Sequence, residues 1–255
     1  AVAGLSTVIV AITIKNSGLG NDLATALLGS LAALAACTLL GLLNGILITK
    51  LKLPPLIVTL GMTWVTIGIG QTLLKGSPIQ ILIKGYKTIL TYKLAGWIPV
   101  TFLLALAVLL FLVHIFKNYR FGREFYAVGS NQYAAFISGT KTDVVLRKAY
   151  ILCSFFAGLS GLLIAAYTGS GYPGAANNYE LYTIAAVVMG GISLTGGEGK
   201  LHLAFFGVVI LRLLNKVVVF TGLSSVSGFI EGIIIGTILI AVLLINASKR
   251  GGETK

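Results

Sequence analysis

Charge is what this sequence has least of. Only 10% of its 255 residues are Asp, Glu, Lys or Arg, against about a quarter in a soluble domain. That scarcity excludes a soluble enzyme, whose surface needs charge to stay wet, and also a disordered chain. Acid is scarcer still, with 7 Asp+Glu against 19 Lys+Arg and a formal net charge of +12. The two histidines, His114 and His202, are lone residues near span ends and offer no metal-ligand set. The two cysteines, Cys37 and Cys153, both lie in apolar runs, so they imply packing rather than a disulfide framework. The 32 glycines follow no G-x-y period, which excludes collagen. What is abundant is apolar: 56% of residues are hydrophobic and the mean hydropathy is +0.97. These numbers describe an all-α, polytopic transmembrane helical bundle, in which each span satisfies its own backbone hydrogen bonds. The excess of cations then reads as an orientation signal and not as nucleic-acid binding, because no basic stripe is interleaved with aromatics.

Six runs are long enough to cross about 30 Å of hydrocarbon at about 1.5 Å per residue. They cover Leu23–Thr49, Pro55–Leu74 and positions 97–116, 149–168, 201–221 and 225–246. Two further runs, 1–14 and 181–194, are short. The first starts at Ala1 and not Met; a cleaved signal peptide and a chain that starts inside a helix both account for it. The second lies between a glycine-rich loop (Gly169, Gly171, Gly174) and Gly196-Gly197, as a tilted crossing or a re-entrant segment would. Counting both as crossings gives eight.

Charge tests that count. With the C-terminus inside, the inner loops hold Lys50, Lys52, Lys117, Arg120, Arg123, Lys141, Arg147, Lys148, Lys200, Lys249, Arg250 and Lys255. The outer loops hold Lys15, Lys75, Lys84, Lys87 and Lys93. This bias favours eight crossings and a cytoplasmic C-terminus. Within the spans, Gly41-x-x-x-Gly45, Gly228-x-x-x-Gly232 and Gly232-x-x-x-Gly236 set small faces where helix backbones approach closely.

The longest inner segment, 117–148, holds more than a connection needs. After a basic, aromatic stretch comes Ala127-Val128-Gly129-Ser130-Asn131-Gln132-Tyr133-Ala134-Ala135-Phe136-Ile137-Ser138-Gly139. Ser130 or Asn131 can cap the start of a short helix and Gly139 can end it. Tyr133, Phe136 and Ile137 fall at i, i+3 and i+4, one apolar face. Such a helix rests on the membrane surface or docks into a soluble partner.

At this point the sequence resembles the permeases of ABC importers of the ribose, galactose, xylose and arabinose type. The segment GREFYAVGSNQYAAFISGTKTDVVLRKAY is similar to their cytoplasmic coupling loop. So are GILITKLKLPPLIVT from Gly45, IAAVVMGGISLTGGEGK from Ile184 and GFIEGIIIGTILIAV from Gly228. The resemblance implies a permease of about ten spans in a bacterial inner membrane, paired with a second copy or a paralogue. It implies ATP-binding subunits that hold ATP and Mg, so that this chain carries no cofactor, and a periplasmic or lipid-anchored binding protein that delivers a sugar. It also implies that Gly129, Asn131, Ala134, Ala135, Ser138 and Gly139 couple to the ATPase, with 1–255 a single permease domain. Four spans follow the coupling loop here, as in that family, but fewer precede it, and the family's acidic GxDLSVG stretch would come before Ala1. The expectation is a chain lacking its N-terminal spans.

No catalytic constellation accompanies these features. A P-loop needs G-x-x-x-x-G-K-[ST], and around Gly199-Lys200 both Leu194 and Leu201 break it. Ionisable residues inside spans are functional candidates, and there are three: Arg212, Lys216 and Glu231. Pairing of Glu231 with Lys216 or Arg212 is the expectation. A neutral sugar needs polar groups without fixed charge, for which Asn44, Thr59, Thr63 and Thr66 are the pathway candidates. The threonines share one helix face, although each hydroxyl can also bond back to its own helix. Other readings are a permease for a nucleoside or a branched-chain amino acid, and, in a different class, an ion-coupled secondary transporter.

Overall fold

In the computed structural model, the described residues are 1–16, 23–81, 92–94 and 96–220, with 233, 236, 237 and 240. Nine helices lie among them: α1 (Val2–Asn16), α2 (Leu23–Thr49), α3 (Pro55–Leu74), α4 (Val100–Asn118), α5 (Arg120–Ser130), α6 (Gln132–Ile137), α7 (Thr142–Thr168), α8 (Tyr179–Met189) and α9 (Leu201–Phe220). Four short strands form two antiparallel pairs. β1 (Ile79–Gln80) pairs with β4 (Ser170–Gly171), and β2 (Lys93–Leu94) with β3 (Ile98–Pro99).

Four helices are long and apolar enough to cross a bilayer: Ala24–Thr49, Pro55–Leu74, Val100–Asn118 and Thr142–Thr168. The protein is therefore a multi-pass helical membrane protein. Outward faces are apolar in keeping with a lipid solvent: Trp64 is 75% exposed, and α4 buries no residue among those described. α7 begins at Thr142 and not at 149 as hydropathy suggests. Hydropathy marks the hydrocarbon zone, but a helix of 27 residues runs about 40 Å and carries its basic first turns beyond that zone. α8 has only 11 residues, about 16 Å, so this helix does not cross the core by itself. The expected run 225–246 lies outside the described residues, apart from four positions.

The chain divides into two compact units: Ala1–Val108 with Gly139–Asn177, and Leu109–Ser138 with Asn178–Lys255. In the first, α1, α2 and α7 pack around Val10, Ala11, Ile14, Ala26, Ala33, Leu162, Ala165 and Ala166. Small residues permit the contact. A Cβ on Gly41 would stand 2.6 Å from the Tyr150 carbonyl oxygen, and one on Gly158 would stand 2.9 Å from Cys37 Cβ. The first of the expected glycine pairs is thus a helix–helix seam within the chain. A buried hydroxyl ties α1 to α7 beside it: Ser6 Oγ donates to the Gly158 carbonyl at 2.8 Å. Cys37 is a packing residue, fully buried, whereas Cys153 is exposed.

In the second unit α8 and α9 form a close pair around Ala185, Ala186 and Leu211. A Cβ on Gly190 would stand 2.5 Å from the Leu203 carbonyl oxygen, and Gly207 sits directly on the Ala186 carbonyl. Of the other expected glycine pairs, Gly228 and Gly232 lie outside the described residues, and Gly236 has open space beside it.

Candidate functional site

The segment after α4 is two helices. α5 takes the basic, aromatic stretch that leaves α4 and runs on to Ser130. Its start is held by an aromatic cluster: ring centroids of Phe116 and Phe121 are 5.6 Å apart, those of Phe121 and Phe125 4.6 Å. Gly122 packs against the Phe116 backbone, which makes the turn from α4 sharp. Arg120 Nε donates to Glu124 Oε1 at 2.8 Å, one helical turn on. The signal for this helix was Phe121, Phe125 and Val128 at i, i+4 and i+7, partly hidden among the charged and aromatic neighbours Tyr119, Arg120, Arg123, Glu124 and Tyr126.

α6 starts where the sequence proposed. Asn131 is extended, and its Oδ1 accepts from the Ala134 amide at 2.9 Å. This is the N-cap geometry. At the other end, the Ser138 amide and hydroxyl both donate to the Ala134 carbonyl, at 3.0 and 2.9 Å. Gly139 follows at φ 83°, a left-handed conformation that stops the helix. Ala135 is buried on the inner side. Tyr133, Phe136 and Ile137 are 73%, 65% and 66% exposed. Three large apolar side chains on a six-residue helix thus face outward together.

The loop 190–200 supports this pair from behind. A Cβ on Gly129, near the end of α5, would stand 2.7 Å from the Gly197 amide nitrogen, and one on Gly196 2.8 Å from the Gly129 carbonyl oxygen. Gly196 and Gly197 have φ of 89° and 75°, where a side chain costs about 1–2 kcal/mol. Two backbones therefore touch where no Cβ fits. Beside the contact, a cleft of about 200 Å³ is lined by residues that include Phe125, Tyr126, Ser193 and Glu198. The sequence placed Gly129 in the loop motif and Gly196-Gly197 after the short run 181–194; no sequence signal joined them.

The pathway candidates differ among themselves. Thr59 Oγ donates to the Pro55 carbonyl at 2.9 Å, Thr63 to Thr59 at 3.0 Å and Thr66 to Met62 at 2.6 Å. Each hydroxyl proton on α3 is already used by its own helix. Asn44 is different. It is 7% exposed, and its Oδ1 is the one buried side-chain oxygen or nitrogen among the described residues without a hydrogen-bond partner. Such an orphan costs about 1–3 kcal/mol.

Arg212 and Lys216 are both exposed on α9. Glu231, their expected partner, lies outside the described residues. Of the lysines expected in outer loops, Lys15, Lys75 and Lys93 are exposed, and Lys84 and Lys87 are outside the described residues.

Comparison with known proteins bears on the whole chain. Residues 1–243 match the family described as branched-chain amino acid transport system / permease component. The ribose import permease protein RbsC of Bacillus subtilis is 36% identical over 210 residues, 81% of this chain and 63% of the relative. The ribose import permease protein RbsC of Escherichia coli K12 is 32% identical over 232 residues, 88% of this chain and 70% of the relative. The autoinducer 2 import system permease protein LsrC of Yersinia pseudotuberculosis is 32% identical over 254 residues, 98% of this chain and 68% of the relative. The chain thus spans less than two thirds of the length of its Bacillus relative. No solved structure matches. A match that runs through nearly every described helix identifies the chain as a member of the branched-chain amino acid transport system / permease component family.

Proposed function

We propose that this chain is the membrane-spanning permease component of an ABC importer for a small neutral sugar. A periplasmic or lipid-anchored binding protein delivers the sugar. ATP is hydrolysed with Mg on separate subunits that dock on α5–α6, and the permease works beside a second copy or a paralogue. The names of the relatives, ribose and autoinducer 2 import permeases, support the sugar. The absence of a P-loop in the sequence supports an ATPase on another chain. Cations near 117–148 support a cytoplasmic face for that loop and for the C-terminus.

The observation that carries this reading is the outward face of α6. Tyr133, Phe136 and Ile137 are exposed on a helix capped at both ends, and a surface helix with that face fits a hydrophobic groove. Movement of a docked α6 reaches α5 and then, through Gly129, the loop that leads into α9.

Uptake into membrane vesicles tests it. With the ATP-binding partner and ATP, labelled ribose should accumulate; without either it should not. Phe136→Asp puts a charge on the docking face and should reduce ATP-dependent uptake at least tenfold while the protein stays in the membrane. Uptake that follows an ion gradient and ignores ATP would instead establish the secondary-transporter reading.

A further inference from the structure

The chain between α7 and α8 goes back into the first unit. α7 ends at Thr168, and Gly169 at φ 66° reverses the direction. The following residues descend along α1. Gly171 lies on the Thr7 carbonyl and the Ala11 side chain, Tyr172 is held by Thr7, and the Pro173 carbonyl sits on Gly4. Gly4 is about 16 Å along α1 from Lys15, at about 1.5 Å per residue. Measured instead along α3, whose Gly70 also meets Pro173, the depth from Lys75 is about 7.5 Å, so the segment reaches about a quarter to half of a hydrocarbon core of about 30 Å. On its other side, Pro173 rests on α3, where a Cβ on Gly70 would stand 3.0 Å from Pro173 Cγ.

Non-helical backbone at such depth survives only where protein buries it or where it lines an aqueous cavity. This segment has two different sides. One side is buried and satisfied: Gly171 and Ala176 are buried. The Thr7 hydroxyl accepts from the Tyr172 amide at 3.1 Å and shares its proton between the Gly4 carbonyl at 2.7 Å and the Tyr172 carbonyl at 3.0 Å. The other side is open and polar: Tyr172 is 37% exposed and Asn177 is exposed. Asn177 follows Pro173 by one 3-10 turn, within about 8 Å of it. No hydrogen bond engages its carboxamide among the described residues.

We infer that Asn177, supported by Tyr172, lines the aqueous path through the membrane and contacts the transported ligand there, a neutral polyhydroxylated molecule. A carboxamide suits that chemistry because it both donates and accepts, and the phenol adds a second site for a hydroxyl. The α3 threonines, whose protons are already committed, suit it less. Thr7, Gly4 and Gly70 hold the segment in place and are positioning residues. This inference rests on the transport reading above.

The test uses the full chain with its ATP-binding partner in membrane vesicles, with Cys37 and Cys153 replaced. Asn177→Cys should react with a small hydrophilic methanethiosulfonate, whereas Trp64→Cys, on the exposed apolar face of α3, should not. D-ribose at millimolar concentration should slow the Asn177→Cys reaction. Asn177→Ala should raise the KM for ribose uptake about tenfold, as the loss of a good hydrogen bond does, and Asn177→Gln should recover part of it. No labelling at position 177 overturns the inference. So does labelling with an unchanged KM in Asn177→Ala, provided the parent chain transports ribose. If the parent chain transports no ribose, the sugar reading fails by itself, and labelling at 177 against 64 still decides whether the segment lines water.

Discussion

The two units both rely on glycine, but for different reasons. In the unit of α1, α2 and α7, the glycines lie within helices. Gly41, Gly158 and Gly161 are there because a neighbouring helix leaves no space for a side chain. In the unit of α5, α6, α8 and α9, Gly196 and Gly197 stand in a loop at positive φ, pressed on the backbone of α5. The first arrangement is a seam, tied where α1 meets α7 by the Ser6 hydrogen bond. The second is a joint at one point, with no side chain to adjust. A seam distributes its stability over many contacts, whereas a joint concentrates movement in one.

The comparison breaks most visibly at the seam. Gly161→Leu would drive a side chain into the Ala3 carbonyl and the Ser6 side chain. We expect a loss of about 3 kcal/mol or more, read as a large fall in the melting temperature of the detergent-solubilised protein. An unchanged melting temperature would mean that α1 does not pack on α7 as described.

Gly197→Ala tests the joint. The added methyl meets the Ser130 backbone, and the left-handed conformation adds about 1–2 kcal/mol. The expected outcome is a fall of about tenfold in ATP-dependent uptake per folded molecule, alongside a lowered melting temperature. A large fall in stability with proportionate activity per folded molecule would make Gly197 part of the fold and not of the coupling.

The smallest effect is expected on α3. Thr63→Val removes a hydroxyl that only bonds back to Thr59, a contact of about 0.6 kcal/mol in membrane helices. Uptake should change by less than about twofold. A larger loss would return the threonine face to the pathway.

How far the sequence carried each element depended on the physics behind its signal. α2 and α3 were legible to the residue, because Pro54-Pro55 separates them and neither carries a charged residue. The start of α7 was misplaced, since its first turns carry Arg147 and Lys148 beyond the zone that hydropathy detects. Asn131 was legible as a cap because a carboxamide before an apolar i, i+3, i+4 pattern has a local function. α5 was hidden by the charges of an exit segment. Thr59, Thr63 and Thr66 share a face, as the spacing required, but spacing alone does not say that the hydroxyl protons are already donated inward.

By itself, the sequence determined that this is a polytopic helical membrane protein, with its apolar runs, its capped α6 and its cation bias. Each of these follows from hydrocarbon solvation, local hydrogen bonding or charge, which act through composition and short spacing. Only the tertiary structure decided that Gly129 meets Gly196 and Gly197. It alone revealed that Asn44 keeps an unpaired oxygen, and that 169–177 turns back along α1 to rest Pro173 on Gly4 and Gly70. Those contacts join residues far apart in the chain, and they depend on the space left when backbones close on each other. Glycine and proline carry no pattern that names such a partner.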